Sequence, residues 1–397
     1  MSTQGSIEAA VAALGDGPLT EARVRRHVAP LFSRVLEQWR GRIYLANHSL
    51  GRPLDATEAD VREGLAAWYA HMGGAWDAWL DEMRAYRTRL ARLMGAARFD
   101  CVVPKASAGQ GLRAILNTYD TVPHVLATRG EFDSLDLILR EYARRGRIAL
   151  TLVDPDDVLG ALDAPVDLVV VSHVMFNTGA RVSNLDEIVA RTHRGGGLVM
   201  LDLYHSLGVI PVDVAEMDVD FAVGGSYKYL RGGPGACFLY VAPPHLDGRL
   251  RTLDTGWFAK RDPFAYLRPD PPVLAEGGDA FLESTPAVLP IYQARAGQLL
   301  MLALRVDRVR AYSLALQQTL VALLAQRGVA AQGGTDDRGA FVIVSHPQAE
   351  AWSDALAVAE VVTDARGPYL RLCPDLLTTE AEIVAAADAV VATRPRS

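Results

Sequence analysis

The feature that most narrows the fold is a series of short Val- and Leu-rich runs in the middle of the chain, at residues 167–172, 198–203, 220–223 and 236–241. Each has the length of a strand and is apolar throughout rather than alternating, so each must be covered on both faces. Between them lie segments with apolar residues at helical spacing, at 132–143 and 184–192. Strands separated by helices in this way form βαβ units and a largely parallel sheet between two helix layers. Ligands in such sheets sit beyond the carboxyl ends of the strands, so chemistry is expected in the residues that follow each run.

The flanks read differently. Residues 1–12 are poor in aromatics and either dock as a helix or stay loose. Residues 42–53 hold a short apolar strand that runs into a polar turn punctuated by Gly51 and Pro53. Across 57–94 the apolar residues recur at helical spacing (Val61, Leu65, Trp68 and Tyr69, then Trp76, Trp79, Leu80 and Met83), with a break at Gly73-Gly74. Beyond Pro290 the pattern predicts long helices to Leu304 and to Leu324, a strand at 340–345, a helix near 352–359, a strand at 369–372 and a closing helix. That last helix opens with Thr379 and Glu382 at capping-box spacing. The expected organisation is a large domain over 55–290 and a smaller α+β domain over 291–397, which the segment 1–54 joins.

Composition serves mainly to exclude. A formal charge of −7 without a basic block argues against nucleic acid as a partner. Three scattered cysteines, Cys101, Cys237 and Cys373, fit neither a disulfide framework nor a zinc site and point to a reducing compartment. No signal peptide is recognisable and no apolar run approaches the roughly 18 residues of a membrane span, so the chain reads as soluble and cytoplasmic. Loops for P-loop phosphates, the His-Glu-x-x-His metal motif, Cys-x-x-Cys and an early Gly-x-Gly-x-x-Gly are all missing, and no metal site is expected.

Of the 40 basic residues only Lys105, Lys228 and Lys260 are lysines. Lys228 stands in Gly224-Gly225-Ser226-Tyr227-Lys228-Tyr229-Leu230-Arg231-Gly232-Gly233-Pro234-Gly235, directly after one apolar run and before another. A lysine at a strand's carboxyl end, with little bulk around it, suits Schiff-base chemistry, because partial desolvation lowers its pKa towards the nucleophilic form. Read alone, the same lysine could be a solvated loop residue. The run 198–203 adds weight, since it carries Asp202 at its end and His205 three residues on. A carboxylate in an apolar strand needs a cationic partner or several donors. The protonated ring nitrogen of pyridoxal phosphate is such a partner, and a capping or structural carboxylate is the alternative.

Asp202-x-x-His205-Ser206 followed by the Lys228 loop resembles the class V aminotransferase group of pyridoxal-phosphate enzymes, and within it the kynureninases. Tyr44-Leu45-Ala46-Asn47-His48-Ser49-Leu50-Gly51, Gly256-Trp257-Phe258, Ser284-Thr285-Pro286 and Leu370-Arg371-Leu372 are similar to further motifs of that family in the same order. The resemblance implies a fold-type I α/β architecture and a homodimer with its active site at the subunit interface. It implies hydrolytic cleavage of the β,γ carbon–carbon bond of a 2-amino-4-oxo acid such as kynurenine, in tryptophan catabolism. Another class V reaction (transamination, lyase chemistry or epimerisation) and a catalytically silent member of the fold are the alternatives.

Carried over residue by residue, the resemblance makes Lys228 the Schiff-base lysine and the carrier of protons at the substrate's Cα. Asp202 would pair with the pyridine nitrogen, with His205 close to the ring, and Tyr227 would reach the phosphate and donate a proton. Ser107 and Ala108 match a phosphate-cradling turn at a helix start, a favourable place for a dianion in any family. Phe132 would stack on the ring, while Trp257 and Thr285, from this or a neighbouring subunit, would reach the phosphate. His71, His48 and Ser49 fall at substrate positions, and Arg371 would hold the α-carboxylate in a bidentate fork. His71 could equally be structural, and for Arg371 an aspartate partner is the rival to a ligand. Departures from the family pattern include His48 in the first motif, Ala108-Gly109-Gln110 in the phosphate turn and Arg231 where a small polar residue is usual. The carboxylate expected after Phe132 falls at Asp133 or at Asp136.

Overall fold

The computed structural model describes residues 2–395. A sheet of seven strands organises the larger part: β1 (Val102–Lys105), β2 (His124–Thr128), β3 (Ala149–Val153), β4 (Leu168–Ser172), β5 (Leu198–Asp202), β6 (Phe221–Gly225) and β7 (Cys237–Val241). Their spatial order is β1-β7-β6-β5-β4-β2-β3. All neighbours are parallel except β7, which runs antiparallel to both β1 and β6. The four runs expected from the sequence are β4 to β7, and all four are buried end to end apart from Leu198. The other three strands escape a search for apolar runs. β1 is an edge strand and tolerates Pro104, β3 is the half-exposed opposite edge, and β2 starts on the polar His124.

Helices cover both faces, as a parallel sheet requires. The helix Ala108–Leu116 lies on β6 and β7, so close that a Cβ on Gly111 would come within 2.4 Å of Val223 Cγ1. A larger residue there would push the helix off these strands. The segment expected over 57–94 forms two helices, Ala56–His71 and Ala75–Met94, with a single tight turn at Met72–Gly74 between them. Both pack against the helix Val288–Leu304. The N-terminal residues do form a helix, Thr3–Leu14, which docks on Val288–Leu304 as well.

A second, three-stranded antiparallel sheet contains β8 (Val342–Ser345), β9 (Asp364–Arg366) and β10 (Tyr369–Leu372), in the order β9-β10-β8. The helix Ala349–Val358 packs against it. The closing helix Glu380–Ala392 has the expected capping box: the Glu382 amide donates to Thr379 Oγ1 at 3.1 Å and the Thr379 amide donates to Glu382 Oε2 at 2.7 Å. Ile43–Tyr44 pairs in parallel with Val361–Val362, which ties the N-terminal segment to this smaller sheet and sets His48 beside it. Among the described residues no helix is long and apolar enough to cross a membrane.

Candidate active site

The carboxyl ends of β4, β5 and β6 converge on one buried spot. Asp202 closes β5 and stands in register with Ser172 at the end of β4 and with Val223 of β6. Lys228 follows β6 by three residues, on a loop that turns back towards the sheet through left-handed glycines, Gly233 (φ 66°) and Gly235 (φ 94°). Arg231 is left-handed too (φ 56°), a conformation that asparagine adopts more readily, which accounts for the small polar residue usual there. The Arg231 amide donates to the Lys228 carbonyl at 3.0 Å and its guanidinium donates to Asp375 Oδ2 at 2.6 Å, so this strained turn is held at both ends.

Lys228 opens into a cavity of about 170 Å³ walled by Ser107, Phe132, Ser172, Phe176, Asp202, His205 and Tyr227 among others. Its Nζ lies 2.6 Å from His205 Nε2 and 5.5–5.7 Å from the ring centroids of Tyr204, Phe132 and Tyr227. Burial, only partly offset by Asp202, pushes the amine down to about 7. Burial also drives the His205 imidazole well below its usual value, and the neighbouring Lys228 charge adds to that, so the ring is neutral. Asp202 Oδ1 accepts the Tyr204 amide at 2.7 Å, and among the described residues Oδ2 accepts no hydrogen bond. Burial raises this carboxyl to about 6 against the pull of that amide and of Lys228. The spot therefore holds an amine and a carboxyl that have lost their water without gaining full partners.

One end of the cavity is the start of the helix Ala108–Leu116. Ser107 caps it, accepting the Gln110 amide at 3.2 Å, and the amides of the first turn have no carbonyl four residues back to bond. That leaves, among the described residues, the Ala108 and Gly109 amides free at the positive end of the helix dipole.

Other residues expected at the site are distributed more widely. His48 is buried, with Nε2 2.7 Å from Asp364 Oδ1 and its ring centroid 6.3 Å from that of His205. Ser49 is half-buried next to it, its amide bonded to the Ala46 carbonyl. Arg371 is also buried, and its fork is already filled: Nε and Nη2 donate to the two oxygens of Asp364 at 2.8 and 2.6 Å, and Nη1 donates to the Phe176 carbonyl on the cavity wall. Trp257 and Thr285 bond each other, Nε1 to Oγ1 at 3.1 Å, in an aromatic cluster with Trp76 and Phe264 rather than around Lys228. His71 is exposed at the end of its helix, away from the cavity.

Of the two acidic residues that follow Phe132, Asp133 is exposed and Asp136 pairs with Arg140 on the helix surface. Glu131, immediately before Phe132, is buried. It accepts Ser172 Oγ at 2.6 Å, the Ser172 amide at 3.2 Å and Thr128 Oγ1 at 2.6 Å, and burial raises it to about 7. Ser172, Phe176, Glu131 and Asp364 are not singled out by sequence. Ser172 has the best signal, since it ends an expected strand; the others show only when separate loops are brought together.

A buried amine, a carboxyl at the end of the adjoining strand, an aromatic wall and a helix start ready for a dianion fit pyridoxal phosphate group by group. The unbonded Asp202 Oδ2 and His205 Nδ1, which lacks a partner among the described residues, are the orphaned polar atoms such a group would satisfy. Sheet and site together define a pyridoxal-phosphate-dependent enzyme of fold type I. The family model of class V aminotransferases matches residues 70–361, and the chain belongs to that family. Its cofactor is pyridoxal 5'-phosphate.

Curated relatives include kynureninases from Pseudomonas fluorescens, 30% identical and aligned over 83% of each chain, and from Deinococcus radiodurans, 29% identical over 82% of this chain and 83% of that one. Solved structures with the same fold include a cystine carbon–sulfur lyase in complex with cysteine persulfide, with a TM-score of 0.78 at 19% identity over 90% of this chain and 99% of that one. A cysteine desulfurase from Thermococcus onnurineus gives 0.76 at 16% identity over 92% and 97%.

Proposed function

We propose that this protein is a kynureninase-like hydrolase, cleaving the β,γ carbon–carbon bond of kynurenine or a related 2-amino-4-oxo acid to alanine and an aryl or acyl acid. The observation that carries the reading is Lys228, buried 2.6 Å from a neutral His205 and one strand from Asp202, in a chain with kynureninases among its curated relatives. When bound, pyridoxal phosphate supplies an electron sink for the charge left on a substrate's Cα. Lys228, held near neutrality, takes the proton from Cα as general base and returns it later. Asp202 keeps a carboxylate at the end of β5 for the ring nitrogen, and His205 orients the amine. Tyr227 lines the cavity as a proton donor, its hydroxyl held protonated by burial. Ser107 and the first-turn amides after it receive the phosphate, and Phe132 packs on the ring face. Addition of one water across the γ-carbonyl then releases the acyl half as a carboxylic acid and the remainder as alanine.

A desulfurase reading would require a thiol on a mobile loop; Cys101 and Cys373 are buried away from the cavity, and Cys237, which lines it, is fixed in β7 with its Sγ accepting the Tyr204 hydroxyl at 3.0 Å. A dimer in which Trp257, Thr285 and His71 serve the neighbouring subunit's cavity accounts for their distance from Lys228 here. Exposed Trp68, Tyr69, Met72 and Tyr266 are consistent with such an interface. The test is product release. Holoenzyme given L-kynurenine should yield anthranilate and alanine in equal amounts, and Lys228→Ala should lower the rate at least about 1,000-fold, the upper part of the range for a positioned acid–base group. Turnover of another amino acid with kynurenine untouched would overturn the reading.

A further inference from the structure

Arg371 is the residue expected to grip a substrate carboxylate, yet its fork is filled by Asp364. The pair is directly cross-strand in the β9–β10 hairpin, so it is built into the register rather than formed by a wandering side chain. Asp364 has a second partner in His48, and the His48 ring is fully buried with Nδ1 unpartnered among the described residues. Lys228 and His205 face His48 from the loops after β6 and β5, Arg371 and Asp364 face it from the hairpin, and Cys373 lies just beyond. Arg366 stands 3.8 Å from the Asp364 carboxylate.

With His48 neutral, the buried charges of Arg371 and Asp364 cancel, and Arg366, half-exposed and 3.8 Å from Asp364, adds only a solvent-screened charge. A substrate carboxylate that takes Arg371 leaves one negative charge in excess in a buried corner, where an unpaired charge is costly. The buried group in contact with Asp364 that can gain a proton is His48.

We propose that Asp364 sets the affinity of Arg371 for a carboxylate: it occupies Arg371 until a substrate carboxylate displaces it, and His48 takes up a proton as that exchange occurs. This deepens the reading of Arg371 as the carboxylate-binding residue, and rests on it. The latch lowers the affinity of Arg371 for carboxylate ligands and leaves ligands without a carboxylate unaffected, because these leave the Arg371–Asp364 pair closed. Burial and the Arg371 charge keep His48 down at about 4 before the exchange, so a proton is available to be gained at neutral pH.

The test uses holoenzyme and 4-oxo-4-phenylbutanoate, which carries the carboxylate and the γ-ketone but no amine and so does not join the cofactor. Titration calorimetry in buffers of different ionisation enthalpy reads both affinity and proton uptake. Wild-type protein should bind it with net proton uptake that is larger at pH 6 than at pH 8. Asp364→Asn should bind at least tenfold tighter with no uptake. His48→Gln, which keeps Asp364, should bind more weakly than wild type, also without uptake. Binding that is lost in Arg371→Lys but unchanged in affinity and proton count by Asp364→Asn would overturn the latch alone. Failure to bind, or binding indifferent to Arg371→Lys, would overturn the carboxylate reading beneath it and the latch with it.

Discussion

Two aspartates at opposite ends of neighbouring strands, Asp202 and Asp220, are both buried and are treated in opposite ways. Asp220 lies at the amino end of β6, where it accepts the Val199 amide at 2.7 Å, with His193 Nε2 at 2.9 Å and His245 Nε2 at 2.6 Å. Burial works to raise it, and these contacts outweigh burial and hold it below the usual carboxylate value. Asp202, at the carboxyl end of β5, has one backbone amide and rises to about 6. The amino end of the sheet satisfies its charges, which is what stability requires; the carboxyl end leaves them short of partners, which is what a bound cofactor can use.

Exchanging charge for amide at each end should split the two roles. Asp202→Asn should reduce kcat by at least roughly 100-fold, the scale of a positioned catalytic group, with little change in urea unfolding of the protein without cofactor. Asp220→Asn should leave kcat unchanged and lower stability by about 1–3 kcal/mol, the cost of disrupting a buried hydrogen-bonded group. Urea titrations and steady-state rates on both variants check this, and loss of kcat in Asp220→Asn would break the comparison.

A smaller effect comes from Glu131, whose folded-state value of about 7 lies above its ordinary 4.5. Between those values the folded state holds more protons than the unfolded one, so stability falls as pH rises. The contribution is complete below pH 4.5 and lost as pH passes 7. Glu131→Gln cannot titrate, so wild type should lose about 1–3 kcal/mol relative to the variant between pH 5 and pH 8, since a tenfold change in proton affinity corresponds to about 1.4 kcal/mol. A pH-independent difference in urea unfolding would show that Glu131 is ionised throughout.

The same contrast explains what can be read from sequence. The interior strands β4 to β7 are legible because burial on both faces forces a continuous apolar run. The edges β1 and β3 are not, since Pro104 and the half-exposed Ala149–Val153 obey weaker constraints. Within the site, Lys228, Asp202 and His205 stand out because strand ends and a glycine-rich loop announce them, while Tyr227 and Phe132 enter only through the family resemblance. Glu131 and Asp364 are not, because their roles depend on contacts across loops and across a hairpin: Glu131 meets Ser172, 41 residues on, and Asp364 meets Arg371 only in the β9–β10 register. His71, Trp257 and Thr285 are found by motif alone, and a motif carries no information about which cavity a residue serves.

We propose that the carboxyl-end cluster holds the cofactor and that Lys228 is the lysine that joins it. Of the other two lysines, Lys105 is also buried, 2.6 Å from Glu283, while Lys260 bonds a loop carbonyl at Leu267. Borohydride reduction of the holoenzyme followed by peptide mapping distinguishes the three in one measurement. Phosphopyridoxyl label should be found on Lys228 and on neither of the others; label on Lys105 or Lys260, or none after saturation with pyridoxal phosphate, would contradict the assignment.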